Sequence, residues 1–119
     1  MPRRPARRAA TPASQPPDAS TQRTVLVDAE NVRRSIWPNI PGDELVALSE
    51  DWAREHEVDV VVVFEREGET ADEWLIREAA RFSPYWLVTS DRELRELAGR
   101  GAERVIGGGS FARELLKRR

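Results

Sequence analysis

The sequence predicts a three-layer α/β fold built on a four-stranded parallel sheet, whose strand order is taken as 2-1-3-4. Three observations predict it. Short β-branched or apolar runs alternate with segments of helical periodicity four times. The run "VDVVVVFE", residues 58–65, is apolar on both faces, as a central parallel strand is. The resulting order β-α-β-α-β-α-β-α is that of a parallel sheet covered by helices on both faces.

Taken in order, "TVLVD" at 24–28 is a short buried strand. "GDELVALSEDWAREH" at 42–56 puts Leu45, Leu48 and Trp52 at helical spacing, with Val46 and Ala53 beside them. After the second strand, "TADEWLIREAARF" at 70–82 is a helix with Leu75, Ala79 and Phe82 on one stripe. "YWLVTS" at 85–90 is the third strand, and "DRELRELAG" at 91–99 a short helix ending at its glycine. "ERVIGG" at 103–108 is the fourth strand. "SFARELLKRR" at 110–119 is a last helix with cations at its C-terminal end.

Composition narrows the function classes. The 119 residues fit one small domain at 23–119, preceded by a Pro-, Ala- and Arg-rich stretch over 1–22 that reads as a disordered tail. That tail is a solubilising leader or an arm that attracts polyanions. It has no apolar segment of a secretory signal, and no apolar run approaches a membrane span. Without cysteine there is no disulfide, thiolate metal site or thiol nucleophile. The expectation is a cytoplasmic protein without a membrane. Residues 1–22 carry a balance of +3, and the remaining 15 basic and 20 acidic side chains give −5. Such a domain does not gather phosphates by bulk charge; it needs local arginines, a metal ion or the tail.

In parallel sheets ligands sit beyond the C-terminal strand ends, where strand order reverses. The order 2-1-3-4 makes strands one and three neighbours, ending at Asp28 and at Ser90–Asp91. The second strand leads through "EREGE" to Asp72. Three aspartates from three connections then converge. Crowded carboxylates repel one another unless a cation is present. Mg²⁺ or Mn²⁺ would relieve the repulsion and suit hydrolysis of a phosphodiester. Asn31 would orient a carboxylate or a bound water.

Each signal also has a structural reading. Thr70 to Glu73 forms a capping box, and Ser90 to Glu93 forms another. Asp72 and Asp91 suit the helix dipole by themselves. Asp28 precedes no helix start that the periodicity marks, so the case rests on the coincidence of all three. "GGGS" at 107–110 is a flexible turn before a Ser110 cap, or a phosphate cradle. His56 has no second histidine as metal partner and reads as packing or dipole decoration. Trp52, Trp74 and Trp86 read as core. Trp37, in "SIWPNIPG", is a loop anchor or a surface on which a base can stack. Arg33, Arg34 and Arg92 hold phosphates, or balance nearby acids. A phosphatase- or receiver-like pocket would need a lysine partner, and Lys117, the only lysine, sits in the last helical turn.

The segments "VLVDAENVRRS", "ETADEWLIREA", "WLVTSDRELRELA" and "GAERVIGGGSFARELL" together resemble the NYN domains, especially the YacP-like branch of the PIN-like nucleases. The family pattern is matched by Asp28, Ala29, Glu30 and Asn31; by Thr70, Ala71 and Asp72; and by Thr89, Ser90, Asp91 and Arg92. Gly101, Ala102 and Phe111 match its last part. The likeness covers residues 23–116. It implies a Rossmann-like PIN fold and a metal-dependent ribonuclease acting on RNA, single-stranded by expectation. Asp28, Asp72 and Asp91 would hold Mg²⁺ or Mn²⁺, supported by Asn31 and Ser90. Some relatives only bind RNA, so a non-catalytic module for RNA or a protein partner is the alternative, and a homodimer is a further arrangement. Relatives also have a longer segment before Thr-Ala-Asp. Here Glu65 stands near the place of their strand-end Asp.

Overall fold

Thr24–Asp28 form β1, and its alternation sets the layering. Val25 and Val27 enter one apolar cluster and Leu26 the other. The computed structural model describes residues 23–118; the tail expected over 1–22 lies outside the described residues. The elements that follow are α1 (Ala29–Arg33), α2 (Gly42–His56), β2 (Asp59–Val63), α3 (Ala71–Glu78), β3 (Tyr85–Val88), α4 (Arg92–Leu97), β4 (Arg104–Ile106) and α5 (Gly108–Leu116).

All four strands are parallel, in the order β2-β1-β3-β4. β1 is central, pairing Asp28 with Val63 on one side and Val27 with Val88 on the other. The chain leaves β1 towards β2, then crosses back to β3. The reversal therefore lies between the C-terminal ends of β1 and β3, and the layers form a Rossmann-like three-layer fold.

One face carries α1, α2 and α5. Val32, Leu45, Leu48, Trp52, Phe111 and Leu115 pack there on Val25, Val27, Val60 and Val62. Trp52 meets Phe111 edge-on at 5.0 Å and stacks on His56 at 4.3 Å, so the lone histidine is a packing element. The other face carries α3 and α4, with Ala71, Leu75 and Leu94 over Leu26, Val61 and Leu87. Trp74 and Phe82 border that cluster. Trp86 borders the first one and takes the Arg104 guanidinium at 4.9 Å.

Several expected boundaries move, each for a local reason. β2 is an edge strand rather than a central one. It is apolar on both faces because helices cover both sides of the sheet even at its edge. It stops at Val63, because its partner β1 ends opposite at Asp28. The helix expected over 70–82 is α3, closing in a 3₁₀ turn over Ala79–Phe82. β4 spans only Arg104–Ile106, because it has just Trp86, Leu87 and Val88 of β3 opposite it and α5 already begins at Gly108. The short helix α1, directly after Asp28, is not marked by periodicity; five residues are too few to show one. α2 occupies its expected span and ends on Glu57 at φ 57°, with Val58 N donating to Ala53 O as in a left-handed helix stop. Among the described residues no helix is long and apolar enough to cross a membrane.

Candidate functional site

Three connections meet over the reversal. β1 delivers Asp28, the loop after β3 delivers Ser90 and Asp91, and the start of α3 delivers Asp72. The three aspartates line one open cleft of about 410 Å³ with Glu30, Asn31, Arg34, Ser35, Glu65, Ala71 and Ser90.

The short route from β2 to Asp72 is a tight turn. Arg66 and Glu69 exchange backbone hydrogen bonds at 2.9 and 3.0 Å, and Gly68 sits at φ 86°, where a side chain would be strained. Glu65 precedes this turn and faces the cleft. Thr70 then caps α3: its hydroxyl accepts from Glu73 N, and Glu73 Oε1 accepts from Thr70 N, both at 3.1 Å. The capping box thereby fixes the first turn that carries Asp72.

The second expected capping box does not form. Asp91, not Ser90, stands at the N-cap of α4, and its Oδ1 accepts from Leu94 N at 3.0 Å. The Ser90 hydroxyl is engaged elsewhere: it accepts from Gly108 N at 2.8 Å. Ser90 N donates to Asn31 Oδ1 at 2.8 Å. A clasp thus joins α1, the β3–α4 loop and the start of α5. Gly108 is part of it, because a Cβ there would collide with Asn31 Oδ1. The glycine run is accordingly a close-approach site rather than a flexible turn. α5 begins at Gly108, so Ser110 lies inside the helix and is not its cap. The Asn31 carbonyl oxygen is committed to this clasp.

Asp28 sits at the N-cap position of α1 after all, yet its carboxylate makes no capping hydrogen bond. It is 4% exposed. Its Oδ2 accepts from the Thr89 hydroxyl at 2.9 Å, and Thr89 Oγ1 accepts from Asp91 N at 3.1 Å. Thr89 is fully buried and links two of the aspartates. Sequence reasoning gave it no role; the signal was a hydroxyl residue at a strand end, one step before Ser-Asp.

Burial pushes the Asp28 carboxyl up to about 6. The Thr89 hydrogen bond opposes the rise, the charges of Asp72 and Asp91 add to it, and the Asn31 N–H, which lies near the carboxylate without forming a capping bond, also opposes it. Asp72 is also raised, first by burial, then by Asp91, Glu93, Glu65 and Glu73. Every named influence on Asp72 has the same sign, and none of them is a cation. Among the described residues no three side chains are drawn together tightly enough to enclose an ion. Their chemistry does fit one: the donors are carboxylate oxygens, the ligand type that Mg²⁺ and Mn²⁺ prefer.

The arginines divide. Arg34 lines the cleft, its side chain 69% exposed and 3.3 Å from Glu30. Arg33 donates Nε to Ile40 O at 2.7 Å and pairs with Glu30 at 2.8 Å, so it is engaged in holding the loop after α1. Arg92, the exposed first residue of α4, is not among the residues lining the cleft. Lys117 lies near Glu114 and is likewise not among them.

The chain matches no protein-family model, no curated protein and no solved structure.

Proposed function

We propose that the protein is a Mg²⁺- or Mn²⁺-dependent ribonuclease of the NYN/PIN-like type that hydrolyses RNA phosphodiester bonds in this cleft. The observation that carries the reading is the meeting of Asp28, Asp72 and Asp91 at the strand-order reversal, with Asp28 and Asp72 both raised by burial and by other carboxylates. The ordered motif resemblance, which includes the same three aspartates, also supports it.

Asp28, Asp72 and Asp91 would hold the ion. When bound, it would neutralise the cleft, polarise a phosphoryl oxygen and lower the pKa of a water. The chain's own residues do the positioning. Thr89 orients Asp28 through Oδ2. The N-cap bond to Leu94 fixes Oδ1 of Asp91, leaving Oδ2 for the cleft. Asp72, on a capped helix turn, is third ligand or orients the attacking water. Asn31 and Ser90 support the site as a clasp, and Arg34 is placed to receive a phosphate. The cytoplasm supplies both RNA and Mg²⁺, and that location is part of the proposal.

The test is cleavage of a mixed-sequence single-stranded RNA in Mn²⁺, Mg²⁺ or EDTA, with Asp28→Asn and Asp91→Asn alongside. Metal-dependent cutting lost in both variants is the expected result. Folded wild-type protein that binds RNA without cutting it would favour the non-catalytic module. Cutting that persists in the variants would remove the site assignment.

A further inference from the structure

We propose that Trp37 is a stacking platform for an unpaired nucleobase of single-stranded RNA laid across the acidic cleft. The inference rests on the ribonuclease reading of that cleft, but its own observation is separate. Trp37 is 86% exposed, against 55% for Leu97 and 43% for Ile76, the other large apolar side chains left in solvent among the described residues. It is therefore no packing anchor.

The loop that carries it is held at both ends. Arg33 Nε donates to Ile40 O at 2.7 Å, and Ile40 N donates to Arg33 O at 3.2 Å. Ser35 Oγ donates to Val32 O at 2.7 Å. Ile36 packs against the core and Ile40 is fully buried. The inward positions are thus taken by isoleucines on either side, and the larger indole between them faces water. A fixed loop presents a flat π surface at little ordering cost.

Its place gives the ligand. Trp37 is not itself among the residues lining the cleft, but Arg34 and Ser35, three and two residues before it, are, so a strand whose base rests on the indole can set a phosphate on Arg34 and run on towards the aspartates. The domain beyond residue 22 carries a balance of −5, so bulk charge does not hold a polyanion there. Stacking, which needs no net positive charge, supplies grip that the electrostatics withhold. Only an unpaired base offers its face; a duplex keeps its faces stacked inside.

The experiment is fluorescence anisotropy of a short fluorescein-labelled mixed-sequence RNA in Ca²⁺, single-stranded and as a duplex, with wild type, Trp37→Ala and Trp37→Phe. Trp37→Ala is expected to weaken single-strand binding about tenfold. Trp37→Phe should retain most of the affinity, and duplex binding should be the same for all three. Single-stranded RNA should quench wild-type tryptophan emission by a component that Trp37→Phe lacks. Equal single-strand binding by wild type and Trp37→Ala would overturn the proposal and leave the ribonuclease reading intact. So would an equal loss on duplex, which would mean a contact other than base stacking. Wild type that binds no RNA would bring down both readings together.

Discussion

The Thr89 hydroxyl donates to Asp28 Oδ2 at 2.9 Å, across 61 residues of sequence and between the neighbouring ends of two parallel strands. Both partners are buried, so the bond is made where water cannot replace it. Thr89 Oγ1 also accepts from Asp91 N, which makes Thr89 the link between the two central aspartates.

Thr89→Val keeps the shape and removes the donor. A hydrogen bond to a charged group contributes about 1.5–3 kcal/mol. The variant should lose about 2–3 kcal/mol at pH 7.5, where Asp28 is ionised, and less at pH 5, where it is largely neutral. Denaturant unfolding at the two pH values measures this. An equal loss at both would assign the effect to packing or to the orphaned Asp91 N–H.

Asp28 itself makes stability depend on pH. Its folded-state pKa, about 6, lies above the unfolded value of 3.8. The native state therefore holds the proton more tightly. The contribution is fully present below about 4, declines as pH rises, and is gone above about 6. A rise from 3.8 to about 6 corresponds to about 3 kcal/mol as an upper figure. Metal-free Asp28→Asn should lack this dependence and be the more stable protein at pH 7.5. Glu78, lowered by Arg77 and Arg81, works in the opposite sense, but it is common to both proteins and cancels in their difference. A wild-type-minus-variant difference that stays flat from pH 4 to 8 would show that Asp28 is not raised.

How much of this was legible in the sequence follows from the range of each interaction. The parallel sheet was readable from βα alternation, but the meeting of Asp28, Asp72 and Asp91 followed only once the order 2-1-3-4 was assumed and the motif resemblance added, because alternation and crossover rules leave other strand orders open. The capping box at Thr70 was readable, because it is complete within four residues. The second box was misread, since Ser90 answers to Gly108 and Asn31, partners that no local window contains. Thr89 stood in a matched motif but received no role for the same reason, since its partner Asp28 is 61 residues away. The helix α1 was missed because its start is set by the end of β1 rather than by a periodic pattern. Arg33 and Arg34 looked alike in sequence; only the loop closure at Ile40 separates them.

Gly108 gives a test of the clasp. A Cβ there has no room while Asn31 Oδ1 holds Ser90 N, so Gly108→Ala should cost about 1–3 kcal/mol, the usual range for overpacking. Asn31→Ala removes the obstacle and leaves Ser90 N without its acceptor. The double variant should then be more stable than the sum of the two losses predicts, by at least about 0.5 kcal/mol. Strict additivity in chemical denaturation would mean that the two residues do not press on each other.

Divalent cations should reverse the behaviour of the metal-free site. Mg²⁺ or Mn²⁺ bound by Asp28, Asp72 and Asp91 offsets their repulsion and favours the ionised form of Asp28. At a hundredfold excess over Kd a ligand of the native state adds about 2.7 kcal/mol. For a domain of this size that is a rise in Tm of roughly 10 °C or more. Wild type should show it at pH 7.5 and show less of it at pH 5, where protons compete for Asp28. Asp28→Asn should show little at either pH, even though it starts from the higher metal-free Tm. Thermal unfolding of both proteins across a Mn²⁺ titration decides the matter. Equal shifts in wild type and Asp28→Asn would place the cation elsewhere on this acidic surface, and the cleft would no longer explain a metal-dependent activity.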